Sequence, residues 1–368
     1  MKTLIRLLSV FLCIQLSSCA QDKQSETTEY TYEIVVPDIK TPWGFVFLPD
    51  NSILITEKSG ELIRVMNGKK TIVNGLPPIT VLGQGGLLDI ALHPDYESNG
   101  WLYFSYASSK GEGPGANTAI MRAKLIDNTL QNTQLLYKAT PNTNSGQHFG
   151  SRIVLDSNNY LYFTIGDRGN REENPQDLTR DGGKIYRLHD DGQIPADNPF
   201  VNTPNAKTAI YSYGHRNPQG MIIHPKTGII WAHEHGPQGG DEINAIEAGR
   251  NYGWPIITYG INYDDTPITD ETEMDGMEQP LHYWTPSIAP SGMCYVTSQK
   301  YPDWQDHLLV GSLKFQYLNL CTLQGNAITH EEQLFKDIGR VRSIQQGPDG
   351  YIYLGVENVG IVKIIPKN

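Results

Sequence analysis

RIVLDSNNYLYFTIGD, running from Arg152 to Asp167, is the stretch that decides the fold. It joins an apolar run to a second run rich in β-branched and aromatic residues through a turn of Asp156, Ser157, Asn158 and Asn159, which is the pattern of a β-hairpin. The same phrase returns as FVFLPDNSILITE from Phe45, IALHPDYESNGWLYFSY from Ile90, GMIIHPKTGIIWAHEHG from Gly220, GMCYVTSQKYPDWQDHLLVGSLK from Gly292 and SIQQGPDGYIYLGVEN from Ser343. Most units add a third short run, such as Glu61 to Val65, Ala119 to Arg122, Gly183 to Leu188 and Gly360 to Ile364. A period of roughly 40 to 70 residues with three or four short strands in each reads as a propeller blade. The expectation is an all-β, six-bladed β-propeller with four-stranded antiparallel blades.

Outside the repeats the chain adds little that competes with this reading. Its 36 glycines and 23 prolines are spread as punctuation, and no helical periodicity lasts beyond about three turns. No Ser/Gly/Pro-rich linker divides the 368 residues, so one folded body is expected. The formal net charge is −11, from 29 Lys and Arg against 40 Asp and Glu. Nucleic acid is therefore excluded as a partner, because phosphate binding needs a basic stripe that the sequence lacks.

The N-terminus carries an address. Lys2 and Arg6 precede an apolar stretch from Leu7 to Ile14, and Leu16-Ser17-Ser18-Cys19 resembles a bacterial lipobox. The apolar run is too short to span a bilayer. Residues 1–18 are expected to be a lipoprotein-type signal peptide, with Cys19 lipidated, 19–32 a flexible tether and 33–368 the propeller. An ordinary secretory signal cut near Ala20 is the alternative. Either places the protein outside the cytoplasm, and the first anchors it to the cell envelope, facing the periplasm or the exterior. Cys294 and Cys321 remain in the body, and residue type alone leaves both a disulfide and buried free thiols open.

In a propeller the innermost strands line a central channel, so the residues just before them gather at one mouth. Those positions hold Gln84, His148, Arg216, Asn217, Lys314, Arg340 and Arg342. Four cations converging in a funnel of low dielectric ask for an anion, either carboxylates of neighbouring blades or a small polyanionic ligand. Their common placement favours the ligand. The run His233-Glu234-His235-Gly236-Pro237 turns the chain so that backbone carbonyls point into the channel, which suits a hard cation such as calcium. His233 and His235 also invite a zinc reading, although no third ligand presents itself. His148, flanked by glycines, precedes Gly166-Asp167-Arg168-Gly169, and an Asp that receives one ring nitrogen makes the His a general base.

These motifs resemble the soluble quinoprotein sugar dehydrogenases, the glucose/sorbosone dehydrogenase family that uses pyrroloquinoline quinone (PQQ), and within it the aldose sugar dehydrogenase branch. The resemblance runs from Thr41 to Ile365. It is most specific at Gly214 to Gly220, His233 to Asn244 with Asn251-Tyr252-Gly253-Trp254-Pro255, and Ile288-Ala289-Pro290-Ser291-Gly292. It implies that Gln84, Arg216, Asn217, Lys314, Arg340 and Arg342 hold PQQ, that the Gly236 and Pro237 carbonyls hold calcium, and that His148 with Asp167 is the base. It also implies a second calcium at Glu242, Tyr252 and Tyr263. The implied reaction takes a hydride from C1 of an aldose to the quinone, gives an aldonolactone and passes electrons to an unidentified acceptor. Asp241, Tyr283 and Trp284 are candidate sugar contacts, the two aromatics serving equally well in blade packing. The dimer-forming insertion of the glucose enzyme is missing, so a monomer is expected. Rival readings are a calcium-dependent lactonase-type hydrolase on the same architecture and a non-catalytic propeller that binds glycans or protein.

Overall fold

A computed structural model describes residues 29–367. The expected signal peptide, Cys19 and most of the expected tether lie outside these residues. The described residues form six four-stranded antiparallel sheets. Their innermost strands are Pro42–Phe47, Leu87–Leu92, Ile153–Leu155, Pro218–Ile223, Pro290–Tyr295 and Val341–Gln346. Blades one to six follow chain order with one exception. The first strand, Tyr30–Pro37, pairs with the last, Gly360–Pro366, and becomes the outer strand of blade six. Two strands far apart in sequence are thereby hydrogen-bonded into one sheet, which ties blade six to the segment leading into blade one. Tyr30 to Tyr32, within the expected tether, already belong to this strand.

Alternation along the strands buries both faces of each sheet. In Ile352–Val356, Ile352, Leu354 and Val356 pack with Cys294, Leu309 and Leu320 of blade five, while Tyr353 packs with Phe45 and Ile55 of blade one. Each such buried side chain contributes about 1.5–3 kcal/mol, and this two-sided burial is why the repeats read as nearly continuous apolar runs. Cys294 and Cys321 are both free and buried, which settles their state as thiols. Burial pushes the Cys294 thiol up to about 12, so it is unreactive as well. Among the described residues no helix is long and apolar enough to cross a membrane.

Irregularities in the inner strands aim side chains at the axis. Pairing slips around Trp43, Leu88 and Asp89, Gln219, Gly292 and Arg342. A β-bulge re-aims the side chain it carries. At the centre lies Arg152. Its guanidinium bonds Asp89 Oδ1 at 3.1 Å, the carbonyls of Gln219 and Arg342 at 2.6 Å each and of Trp43 at 3.3 Å, and Ser291 Oγ at 3.4 Å. One buried cation thus touches the inner strands of the five other blades and closes the channel at mid-depth. Below it lies a cavity of about 430 Å³ at the opposite mouth, with walls of Val46, Leu92, Ile222 and Met293. Every donor Arg152 offers there is already used.

Candidate active site

Loops of several blades bring the site together at the upper mouth. His148 sits in the loop before the inner strand of blade three, with φ 51. Its left-handed conformation is one that a non-glycine residue keeps only when its surroundings impose it. Gln84 Oε1 accepts the His148 backbone N–H at 2.9 Å, and the Gln84 N–H donates to Gly146 O at 2.7 Å. Arg168 holds the same loop from below. It donates to Ser145 O at 2.6 Å, Ala116 O at 3.2 Å and also Gln147 O, with its charge 3.5 Å over the Phe149 ring. Gly166 is required behind it, since a Cβ there would come within 2.4 Å of His148 O and 2.8 Å of Asn217 Oδ1.

His148 Nδ1 meets Asp167 Oδ1 at 2.6 Å. Gly169 N donates to the same oxygen at 2.7 Å, and the Trp254 indole donates to Oδ2 at 2.9 Å. Burial pushes Asp167 up, but the hydrogen bond and charge of His148 together with Arg216 bring it below its ordinary value. Burial pushes His148 down, and Arg216 and Arg168 add to this against the pull of Asp167. The imidazole is therefore neutral at pH 7. With its proton on Nδ1 facing the carboxylate, Nε2 is left as a proton acceptor at a cavity of about 330 Å³ that His148, Asp167, Arg216, Pro237, Trp254 and Tyr263 line.

The expected cation cluster divides. Arg340 and Arg342 both pair with Glu357, at 2.7 Å from Arg340 Nε and 2.9 Å from Arg342 Nε, so a protein carboxylate supplies their counter-charge. Arg216 donates to His235 O at 3.0 Å and Gly236 O at 2.9 Å. That contact gathers the carbonyls of His235 and Gly236, and Pro237, next in the chain, lines the mouth cavity. Lys314 differs from the arginines. It is exposed, it makes no ion pair among the described residues, and its Nζ lies 5.2 Å over the Phe315 ring. Asn217 Oδ1 accepts Gly150 N at 3.1 Å, while its Nδ2 is buried without a partner among the described residues. A buried, unused amide donor is costly unless something fills its place.

The remaining candidates separate. Glu242 and Tyr252 line a cavity of about 10 Å³ together with Glu234, room for one water-sized particle. Burial and the neighbouring Glu234 push the Glu242 carboxyl up to about 8. Tyr263 belongs elsewhere: it is 75 % exposed and lines the mouth cavity. Asp241 is buried, accepting from Gly236 N and Ala289 N at 2.8 Å and from Ser287 Oγ at 2.9 Å, so it ties two loops together rather than facing a sugar. Trp284 is likewise buried, its indole on Glu331 at 2.6 Å, and serves blade packing. Tyr283 is exposed and stacks on Tyr259 at 3.8 Å on the rim. His233 and His235 turn toward the carbonyls of Gly292 at 3.2 Å and Pro290 at 2.7 Å. Among the described residues no group of three His, Cys, Asp or Glu is placed to hold a metal, so the zinc reading fails.

A closed propeller with a carboxylate-oriented histidine at a polar mouth has the parts of an enzyme that moves a proton. Comparison gives the family. The model of the glucose/sorbosone dehydrogenases matches residues 39–363, and the chain belongs to that family of sugar-oxidising enzymes. It is 40 % identical over 346 residues to the aldose sugar dehydrogenase YliI of Escherichia coli, covering 91 % of this chain and 93 % of that one. The apo-form crystal structure of the soluble aldose sugar dehydrogenase from Escherichia coli superposes with a TM-score of 0.89 at 38 % identity, over 92 % of this chain and all of that one. A PQQ-bound aldose sugar dehydrogenase from Streptomyces coelicolor gives 0.76 at 26 % identity, over 92 % of this chain and 99 % of that one.

Sequence reasoning missed Glu357, Trp254, Arg168 and Arg152. The first had a visible signal. Glu57, Asp167, Glu234 and Glu357 stand at or just past the end of the second strand of four blades, so a carboxylate recurs at one place in the repeat.

Proposed function

We propose that the protein oxidises aldoses at C1 with PQQ and calcium, releasing the aldonolactone and passing electrons to an external acceptor. The observation that carries this is the His148, Asp167 and Trp254 chain ending at a cavity that Arg216 and Pro237 also line. A flat tricarboxylate fits this donor set: Lys314 and Arg216 offer charge, Asn217 a buried N–H, and Gln84 a polar edge. Arg340 and Arg342 would assist from behind Glu357, which neutralises part of their charge. The carbonyls of Gly236 and Pro237 suit calcium, and the single-atom cavity beside Glu234, Glu242 and Tyr252 suits a second calcium. When bound, PQQ supplies the hydride acceptor and calcium the Lewis acid.

The protein's own part is proton transfer and placement. His148 Nε2 takes the proton of the anomeric hydroxyl, and Asp167 stabilises the imidazolium that results. Arg216 and Lys314 orient the anionic cofactor, and Tyr263 and Tyr283 offer rim surface to a sugar ring. Export with a lipid anchor at Cys19, in a monomer, places this chemistry outside the cytoplasm. The test uses protein that begins after Cys19, loaded with PQQ and calcium, with reduction of an electron-accepting dye followed on a panel of aldoses. Sugar-dependent reduction is expected; a protein that takes up no PQQ refutes the proposal.

A further inference from the structure

We infer that Trp254 is a positioning residue for the base, fixing through its indole N–H the Asp167 carboxylate and hence the tautomer of His148; this rests on His148 acting as the base. The carboxylate is buried, and its two oxygens have different partners. Oδ1 takes His148 Nδ1 at 2.6 Å and Gly169 N at 2.7 Å. Oδ2 takes the Trp254 indole at 2.9 Å. Without that donor, one oxygen of a buried carboxylate would lack a partner, and the group would rotate or take up a proton. Either change removes the acceptor that keeps the His148 proton on Nδ1. The proton would then spend time on Nε2, the nitrogen that must receive one from substrate.

The indole is well placed to impose this geometry. Trp254 is 6 % exposed, its backbone N–H donates to Gly214 O at 2.9 Å, and its carbonyl accepts Gln176 Nε2 at 2.8 Å. The Arg216 guanidinium lies 5.4 Å from the ring centre, and the same arginine gathers the His235 and Gly236 carbonyls. Trp254 also walls both the mouth cavity and the small cavity of Glu234, Glu242 and Tyr252. One side chain therefore sets the base relative to the cation and the carbonyl turn, which no purely apolar residue of that size would do.

The experiment replaces Trp254→Phe, which keeps an aromatic ring and removes the N–H. In the wild-type apo protein, nitrogen-15 spectra of the His148 ring should show one tautomer with the proton on Nδ1; in the variant they should show both. With PQQ and calcium, kcat should fall about 10- to 100-fold, with KM and PQQ affinity changed less than threefold. Trp254→His, which restores a ring N–H, should regain part of kcat. A variant that keeps a single Nδ1–H tautomer and a kcat within twofold of wild type overturns the inference. If Trp254→Phe does not fold, the wild-type indole resonance decides: it must shift with pH at the midpoint of the His148 ring, and an indole signal blind to that titration overturns the inference. The tautomer measurement needs no substrate, so a tautomer change in a protein inactive on every aldose would sink the proposed function and leave this inference standing.

Discussion

Replacing Arg152 with Met tests how the channel is held together. Arg152 and Asp89 form an ion pair at 3.1 Å with side chains 7 % and 9 % exposed. Burial pushes the guanidinium down and the Asp89 carboxyl up, each partly offset by the charge of the other. Removing one partner of such a pair leaves an uncompensated buried charge, which costs about 3–5 kcal/mol. The carbonyls of Trp43, Gln219 and Arg342 lose a donor as well. We expect Arg152→Met to destabilise by about 4 kcal/mol or more. Unfolding entropy for a chain of this length is about 0.8 kcal/mol per kelvin, so Tm should fall by about 5 °C. Asp89→Asn combined with Arg152→Met removes the orphaned charge while Asn can still accept the Ile153 N–H, which Asp89 Oδ2 accepts at 2.9 Å. The double variant should be more stable than Arg152→Met alone. Calorimetry and urea unfolding of the three variants decide. A Tm drop below about 1 °C for the single variant, or a double variant less stable than it, refutes the picture of one buried cation joining six blades.

Other outcomes follow from the site. His148→Ala should reduce kcat at least about 100-fold while PQQ affinity stays near wild type; a rate near wild type removes His148 as the base. Lys314→Ala should weaken PQQ binding about tenfold or more, measured by cofactor titration, because no protein carboxylate shares that charge. Activity requires neutral His148, whose pKa is lowered by burial, so the acid limb of kcat/KM should lie below the ordinary histidine value of about 6.5. Burial also lowers His233 to about 3 and His235 well below its ordinary value. The unfolded chain takes up those protons first as pH falls below about 6.5, so stability should drop by about 1.4 kcal/mol per pH unit for each. Glu242, raised to about 8, acts in the opposite sense, and urea unfolding of the apo protein at pH 6.5 and 5 should show a net loss. Glu242→Gln should abolish the part of the calcium-induced rise in Tm that comes from the small cavity.

The fold was legible because a propeller repeats. Six hairpin phrases, each with a turn of small or polar residues, announce six blades whatever the spacing between them. The closing strand Tyr30–Pro37 was less visible, since its pairing partner Gly360–Pro366 lies at the other end of the chain and nothing local marks the match. The mouth residues His148, Asp167, Arg216 and Asn217 were legible from their place in the repeat. Their partners were not. Trp254 comes from the loop after the third strand of blade four and reaches blade three, and Arg152 reaches three of the five other blades through the carbonyls of Trp43, Gln219 and Arg342, which carry no sequence signal. Asp241 and Trp284 misled because an acidic or aromatic residue near a mouth looks the same in sequence whether it faces a cavity or ties two loops together.

The recurring carboxylate shows how the same architecture serves both purposes. Glu57 takes the backbone N–H of Thr41 at 2.8 Å, Glu234 takes the ring of His215 at 2.8 Å and the backbone N–H of Arg216, and Glu357 takes the guanidinium groups of Arg340 and Arg342. In each case a carboxylate at the end of a second strand holds the loop that precedes the inner strand of its own blade. That is a structural task, repeated because the blades repeat. Asp167 performs it too, but the side chain it holds is an imidazole with one nitrogen left at a cavity. The proposed base needs no new framework: a glycine-flanked histidine in one loop, and an indole on the spare carboxylate oxygen, would turn a repeated loop clamp into an oriented proton acceptor. His215 in blade four is the comparison that supports this. It sits on the same kind of carboxylate, yet its Nε2 is 2.9 Å from Ser212 Oγ and the ring is buried against Tyr252. With no nitrogen left at the mouth, the same clamp in blade four remains structural.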